Sequence, residues 1–151
     1  RSVSRGLGDV YKRQGYSSSG FTDMPMNHKV FLAQFDAIKK LASEGPCVMV
    51  GRCADYALSE YKDCFSVFVH ADTDWRINRL SQKHNKTAKE AKDMINKTDK
   101  SRSSYYNYYT NKKWGAASSY NLCVDSSKLG IDGAAKAIIQ AIEIFDSIKN
   151  K

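Results

Sequence analysis

Residues 65–71, Phe65-Ser66-Val67-Phe68-Val69-His70-Ala71, form a mostly apolar run that leads directly into Asp72-Thr73-Asp74-Trp75-Arg76-Ile77-Asn78-Arg79-Leu80. A short, nearly continuous apolar run of this kind suits a strand buried on both faces of a parallel sheet. The segment after it changes to helical spacing, with Ile77 and Leu80 on one side and Arg76 and Arg79 beside them. Upstream, Cys47-Val48-Met49-Val50 is a second such run, ending at Gly51, and downstream Leu122-Cys123-Val124 is a third, ending before Asp125. Each is followed by a polar turn and a helical pattern. This alternation predicts an α/β layered fold with parallel strands and a ligand site at their carboxyl ends.

The helices follow from periodicity. Over residues 29–43 the apolar residues Phe31, Phe35, Ile38, Leu41 and Ala42 recur at steps of three and four, and Gly45-Pro46 stops the pattern. After the helix over 73–84, Thr87 and Glu90 make a capping box for another, which runs as far as Tyr109. The last helix spans about residues 133–148, with Asp132 as its cap. Its stripe of Ala135, Ile138, Ile139, Ile142, Phe145 and Ile148 is expected to pack. Residues 1–14 lack periodicity and are expected to be a flexible leader unrelated to the domain, and residues 15–25, rich in Gly and Ser, read as a loop.

Composition narrows the function classes. The chain has 151 residues, 42% hydrophobic and 26% charged, one domain's worth of an ordinary globular protein. No apolar run approaches the roughly 18 residues of a membrane span, and no signal-peptide pattern is evident, so a cytoplasmic protein without a membrane partner is expected. Cys47, Cys53, Cys64 and Cys123 show no paired spacing, and His28, His70 and His84 stand apart from one another, so no metal site is expected. The net charge of +8 is localised: residues 72–113 hold 11 Lys and Arg against 5 Asp and Glu. A polyanionic ligand would meet that stretch first.

Three constellations can carry chemistry. Arg52, immediately beyond the 47–50 run, stands where a guanidinium grips a phosphate through two parallel hydrogen bonds, or else pairs with Asp55 in a loop. Arg76 and Arg79, followed about twenty residues on by Lys97, Asp99, Lys100 and Arg102, can close two basic helices over a polyphosphate and stabilise charge on a moving phosphoryl group. The same charges can equally be a solvated face. Tyr105-Tyr106-Asn107-Tyr108-Tyr109-Thr110, with Lys112, Lys113 and Trp114, can stack nucleobases, but Tyr105, Tyr108 and Tyr109 fall on one helix side, which favours packing against the sheet.

In order, GYSSSGFTDMPMNHKVFLAQ, GPCVMVGRCADYAL, VFVHADTDWRINRL, NKTDKSRSSYYNYYTNKKWG and YNLCVDSSKLGIDG resemble the cytidylate kinase-like family of P-loop proteins, from about Gly15 to the C-terminus. The resemblance implies a three-layer kinase fold that moves the γ-phosphoryl group of ATP, with Mg²⁺, to a small acceptor such as a nucleoside monophosphate. Arg52 matches the Arg of the Gly-Arg-Asp motif that binds the acceptor phosphate, with the Asp displaced to Asp55. Arg76 and Arg79 match the basic start of the lid helix, and Asp99 and Arg102 match the Asp-x-x-Arg at the lid's end. Lys97 stands where another cation is common, and Ser126-Ser127-Lys128 is similar to the loop that borders the donor base.

The larger departure from that family is a missing loop. No G-x-x-x-x-G-K-[ST] loop occurs in the sequence, so the expectation is a member lacking its N-terminal strand, phosphate loop and first helix. Little phosphoryl transfer is expected from such a chain, and a vacancy is expected between the strands at 47–50 and 65–71. Two rival functions share the residues: a basic single-stranded nucleic-acid binder, and a kinase of a non-nucleotide small molecule. No specific nucleic-acid partner is expected from the favoured reading.

Overall fold

The computed structural model describes residues 26–149, and the expected leader and the loop over 15–25 lie outside them. The chain divides into two compact units, residues 1–60 and 61–151.

In the first unit, helix α1 (Met26–Ser43) buries Phe31 and Ile38. It contacts the short helix α2 (Ala54–Ala57), where Phe35 meets Tyr56 edge-on at 6.2 Å between ring centroids. The turn into α2 is unusual. Gly51, Arg52 and Cys53 all have positive φ (74°, 58° and 55°), and only the first lacks a Cβ. Two non-glycine residues in the left-handed region cost about 1–2 kcal/mol each, so packing around buried Cys53, Ala54, Ala57 and Leu58 holds the turn.

Residues 47–50 correct the sequence expectation. They are not a strand, and Val48 and Val50 are 94% and 91% exposed. The apolar composition is that of a buried strand, but a strand needs neighbours for its N–H and C=O groups, and among the described residues none pairs with this run.

The second unit has a parallel two-stranded sheet, β1 (Val67–His70) and β2 (Leu122–Asp125), in register Val67↔Leu122 to His70↔Asp125. Ser66 and Asn121 pin the entrance to both strands: the Asn121 side-chain oxygen accepts from the Ser66 N–H (2.9 Å) and hydroxyl (2.8 Å). Between the strands run α3 (Thr73–His84) and α4 (Ala88–Thr110), packed on each other around Ala91 and Ile95. The capping box is present as expected: Thr87 accepts from the Glu90 N–H while the Glu90 carboxylate accepts from the Thr87 N–H at 2.8 Å. The Asp72 carboxylate caps α3, accepting from the N–H groups of Asp74 and Trp75.

Helix α5 (Ser126–Lys149) comprises a first turn directly after β2 and, beyond non-helical Gly130 (φ 69°, ψ 174°), the long helix that periodicity suggests. The expected packing stripe is only partly covered. Ala134 is buried and Phe145 packs on Phe65 at 5.0 Å, but Ile139, Ile142 and Ile148 are exposed. The reason is size: at 1.5 Å per residue the helix beyond Gly130 is about 28 Å long, whereas four-residue strands extend only about 13 Å.

The tyrosine cluster also differs from expectation. Tyr106, not Tyr105, Tyr108 and Tyr109, is the ring buried towards the sheet. It is 6% exposed and stacks on Tyr120 at 6.2 Å, which stacks in turn on Phe68 of β1 at 4.9 Å. Tyr108 is 78% exposed.

Candidate functional site

The carboxyl ends of the two strands are tied together by side chains. The Ser126 hydroxyl donates to the His70 carbonyl at 3.0 Å, and the Ser127 oxygen accepts from the Asp72 N–H at 3.1 Å. Ser127 in turn donates through its N–H (2.9 Å) and hydroxyl to the Asp125 carboxylate, whose pKa these bonds hold below its ordinary value. Ser126 and Ser127, expected in a loop, therefore belong to the first turn of α5 and fix the sheet edge; Lys128 beside them is exposed. The network includes Asp72 and Asp125, which sequence reasoning did not single out. An Asp just before a helical pattern is the available signal for the first.

From this edge α3 and α4 rise as a hairpin joined by a tight turn at Asn85, whose φ is 49°. One ion pair links the two helices. Arg76 donates from both terminal nitrogens to Asp99, at 2.7 and 2.8 Å, with both side chains about a quarter to a third exposed. The structure thus joins two expected site residues to each other: Arg76 pairs with Asp99 across the hairpin, and these hydrogen bonds raise the guanidinium pKa. Arg79, one turn beyond Arg76, is exposed and lies over the Trp75 ring at 5.5 Å. With Gln82 and Lys83 it lines an open depression. Lys97 and Arg102 are exposed on α4, Arg102 one turn beyond Asp99.

Fixing a partly exposed fork–fork pair contributes modestly, so a double-mutant cycle of Arg76→Ala and Asp99→Ala is expected to give a coupling of about 1 kcal/mol in urea unfolding. Additive single effects would show that the pair does not hold the hairpin.

Arg52 and Asp55 belong to the first unit. Arg52 is exposed and held at φ 58°, and Asp55 is half-buried in α2, two residues beyond the left-handed turn that separates it from Arg52. Between them Cys53 is buried at 4% exposure, and burial, with the Asp55 charge adding to it, pushes its thiol up to about 11. Cys53 is therefore no nucleophile. At pH 8 its alkylation by iodoacetamide is expected to be at least about 100-fold slower than that of exposed Cys47, read by mass spectrometry of the two peptides. Comparable rates would show that the turn around Cys53 opens readily.

Among the described residues no group of three His, Cys, Asp or Glu side chains could hold a metal ion, and no helix is long and apolar enough to cross a membrane. Exposed Arg79 and Arg102 suit phosphate oxygens; a caged metal has no ligand set among these residues.

The model of the cytidylate kinase-like family matches residues 2–128. The chain belongs to the cytidylate kinase-like family. It is also similar to a crystal structure of an uncharacterized protein from Eubacterium ventriosum ATCC 27560. The two share 32% sequence identity with a TM-score of 0.74, over 78% of this chain and 74% of that one. No curated protein matches. Family membership points to kinase-type phosphoryl transfer with a nucleotide or small-molecule substrate, and the parallel strands with the helices between them are consistent with a kinase-like fold.

Proposed function

We propose that this chain carries the acceptor and lid parts of an ATP-dependent phosphotransferase whose acceptor is a small molecule, most simply a nucleoside monophosphate. The observation that carries the reading is the Arg76–Asp99 pair. It sets two basic helices as one rigid hairpin beside the carboxyl ends of two parallel strands, the ligand edge of such a sheet. On this reading Arg79 and Arg102 meet the moving phosphoryl group and spread its charge, while Arg76, tied to Asp99, keeps them in place. Arg52 takes the acceptor phosphate, with Asp55 beside it, and its left-handed backbone fits a residue strained for a task rather than for stability. Lys97, Asp99, Ser126, Ser127 and Lys128 border the donor.

Bound ATP with Mg²⁺ would supply the phosphoryl group and part of its charge neutralisation. The chain's own residues bind and orient the phosphates. The cradle of backbone N–H groups and a Lys around the β and γ phosphates is not among these 151 residues, so on this proposal it is supplied by sequence outside them. Bare Val48 and Val50 support that view, since they have the composition of a strand awaiting a neighbour.

The test is a phosphoryl-transfer assay of this chain and of a longer protein carrying the upstream coding sequence, against a panel of nucleoside monophosphates and non-nucleotide alcohols. The longer protein is expected to turn over at least one of them, and the 151-residue chain to be slower by roughly 100-fold or more. Equal, brisk transfer by both would overturn the view that the cradle lies elsewhere. No transfer to any acceptor by the longer protein would overturn the kinase reading.

A further inference from the structure

Helix α5 carries an apolar stripe that neither the sheet nor the site described above uses. Ala134, which is buried, and Phe145, which packs on Phe65, mark the side of the helix that meets the rest of its unit. Beside that side, Ala135, Ile139 and Ile142 recur at steps of four and three, the spacing of a helix–helix seam, and all three are exposed. In water such a row gains by packing against a second helix. We propose that this stripe is the contact between two copies of the chain, paired through antiparallel α5 helices about a two-fold axis. The inference stands apart from the phosphotransferase reading, since it uses none of the phosphate-facing residues.

Charge names the occupant. Lys136 and Glu143 border the stripe on one edge, Lys136 three residues before Ile139 and Glu143 four after it, and both are exposed. Standing about two helical turns apart, they share that edge with opposite signs but are too far apart to pair with each other. Among the described residues neither takes part in an ion pair. A helix running the opposite way exchanges them. With Ile139 of each copy against Ile142 of the other, Lys136 of each copy faces Glu143 of the other, and one two-fold operation makes both ion pairs. A parallel copy would set Lys136 level with Lys136 and Glu143 level with Glu143, so the charge order selects the antiparallel arrangement.

Asp132 and Asp146, the other carboxylates near the stripe, fall towards its two ends, outside the layers made by Ile139 and Ile142. Lys149 is held by Asp63 within its own copy and is not needed for the contact. The size of the seam sets its strength. Ala135, Ile139 and Ile142 with their two flanking charges are far fewer than the roughly 20–30 residues a side of a standard stable interface. The dimer is therefore weak and reversible, and the paired charges fix which way the two helices run.

The test is sedimentation equilibrium of the 151-residue chain across the micromolar range, for the parent sequence, for Lys136→Glu, Glu143→Lys and Ile139→Lys, and for an equimolar mixture of the two charge reversals. The parent is expected to form a dimer. Each reversal alone sets like charges against each other at both symmetry-related pairs, and is expected to weaken dimerisation by roughly tenfold or more. In the mixture one chain carries Glu at both positions and the other Lys at both, so the heterodimer regains both ion pairs and is expected to form within about threefold of the parent's affinity. Ile139→Lys is expected to stay monomeric. All three positions are exposed, so the variants' circular dichroism is expected to match the parent's. A parent that stays monomeric overturns the proposal, and is the result expected if a segment outside the described residues covers the stripe. Association that the reversals leave unchanged also overturns it, and points to contact through other exposed apolar groups such as Val48 and Val50. Reversals that weaken the dimer but do not rescue each other on mixing overturn the antiparallel pairing.

Discussion

Arg102→Ala, made in a longer protein that carries the phosphate cradle, is expected to lower phosphoryl transfer by roughly 100-fold or more, while Lys136→Ala leaves it within about a factor of two. Both side chains are exposed cations, so loss of net charge is the same in each. The difference lies in position. Arg102 stands one turn beyond Asp99 on the helix that the Arg76 clamp fixes, whereas Lys136 lies on α5, which is no part of the hairpin. If Arg102 stabilises charge that develops only during transfer, its loss lowers kcat more than it raises KM. Steady-state kinetics of the two variants checks this, and equal effects would remove Arg102 from the machinery. Lys83 is a poor comparator, because it shares the open depression on α3 with Arg79.

The second large effect concerns stability. Tyr106→Ala is expected to cost about 3 kcal/mol, whereas Tyr108→Ala costs less than about 0.5 kcal/mol. Tyr106 is 6% exposed and is the outer member of the stack with Tyr120 and Phe68, so its removal opens a cavity between α4 and the sheet. A sheet of two four-residue strands has little else with which to compensate. Urea unfolding of the two variants measures the difference, and a small loss for Tyr106→Ala would mean that α4 is held to the sheet by other contacts. The same pair of substitutions separates a buried ring from an exposed one on the same helix.

These two tyrosines also show where sequence reading reaches its limit. A helical wheel places Tyr105, Tyr108 and Tyr109 together and gives no means of knowing which side of the helix meets the sheet. Ala91, Ile95, Tyr106 and Thr110 define that side, and it is set by how α4 packs on α3 and on the Phe68–Tyr120 stack. Arg76 gives a similar lesson. Its sequence position suggested a group facing phosphate, but a carboxylate on a different helix, 23 residues away, accepts a hydrogen bond from each of its two terminal nitrogens.

Local signals determined what depends on neighbours in the chain: the apolar runs that became β1 and β2, the Thr87–Glu90 box that starts α4, and the helical pattern over 73–84. Propensity, capping and periodicity act over a few residues and are written there directly. Tertiary structure alone decided which cations stay exposed, which tyrosine is buried, and that the valine-rich run at 47–50 forms no strand. Each of those outcomes depends on a partner far away in sequence, and a strand or an ion pair exists only where that partner stands within hydrogen-bonding reach.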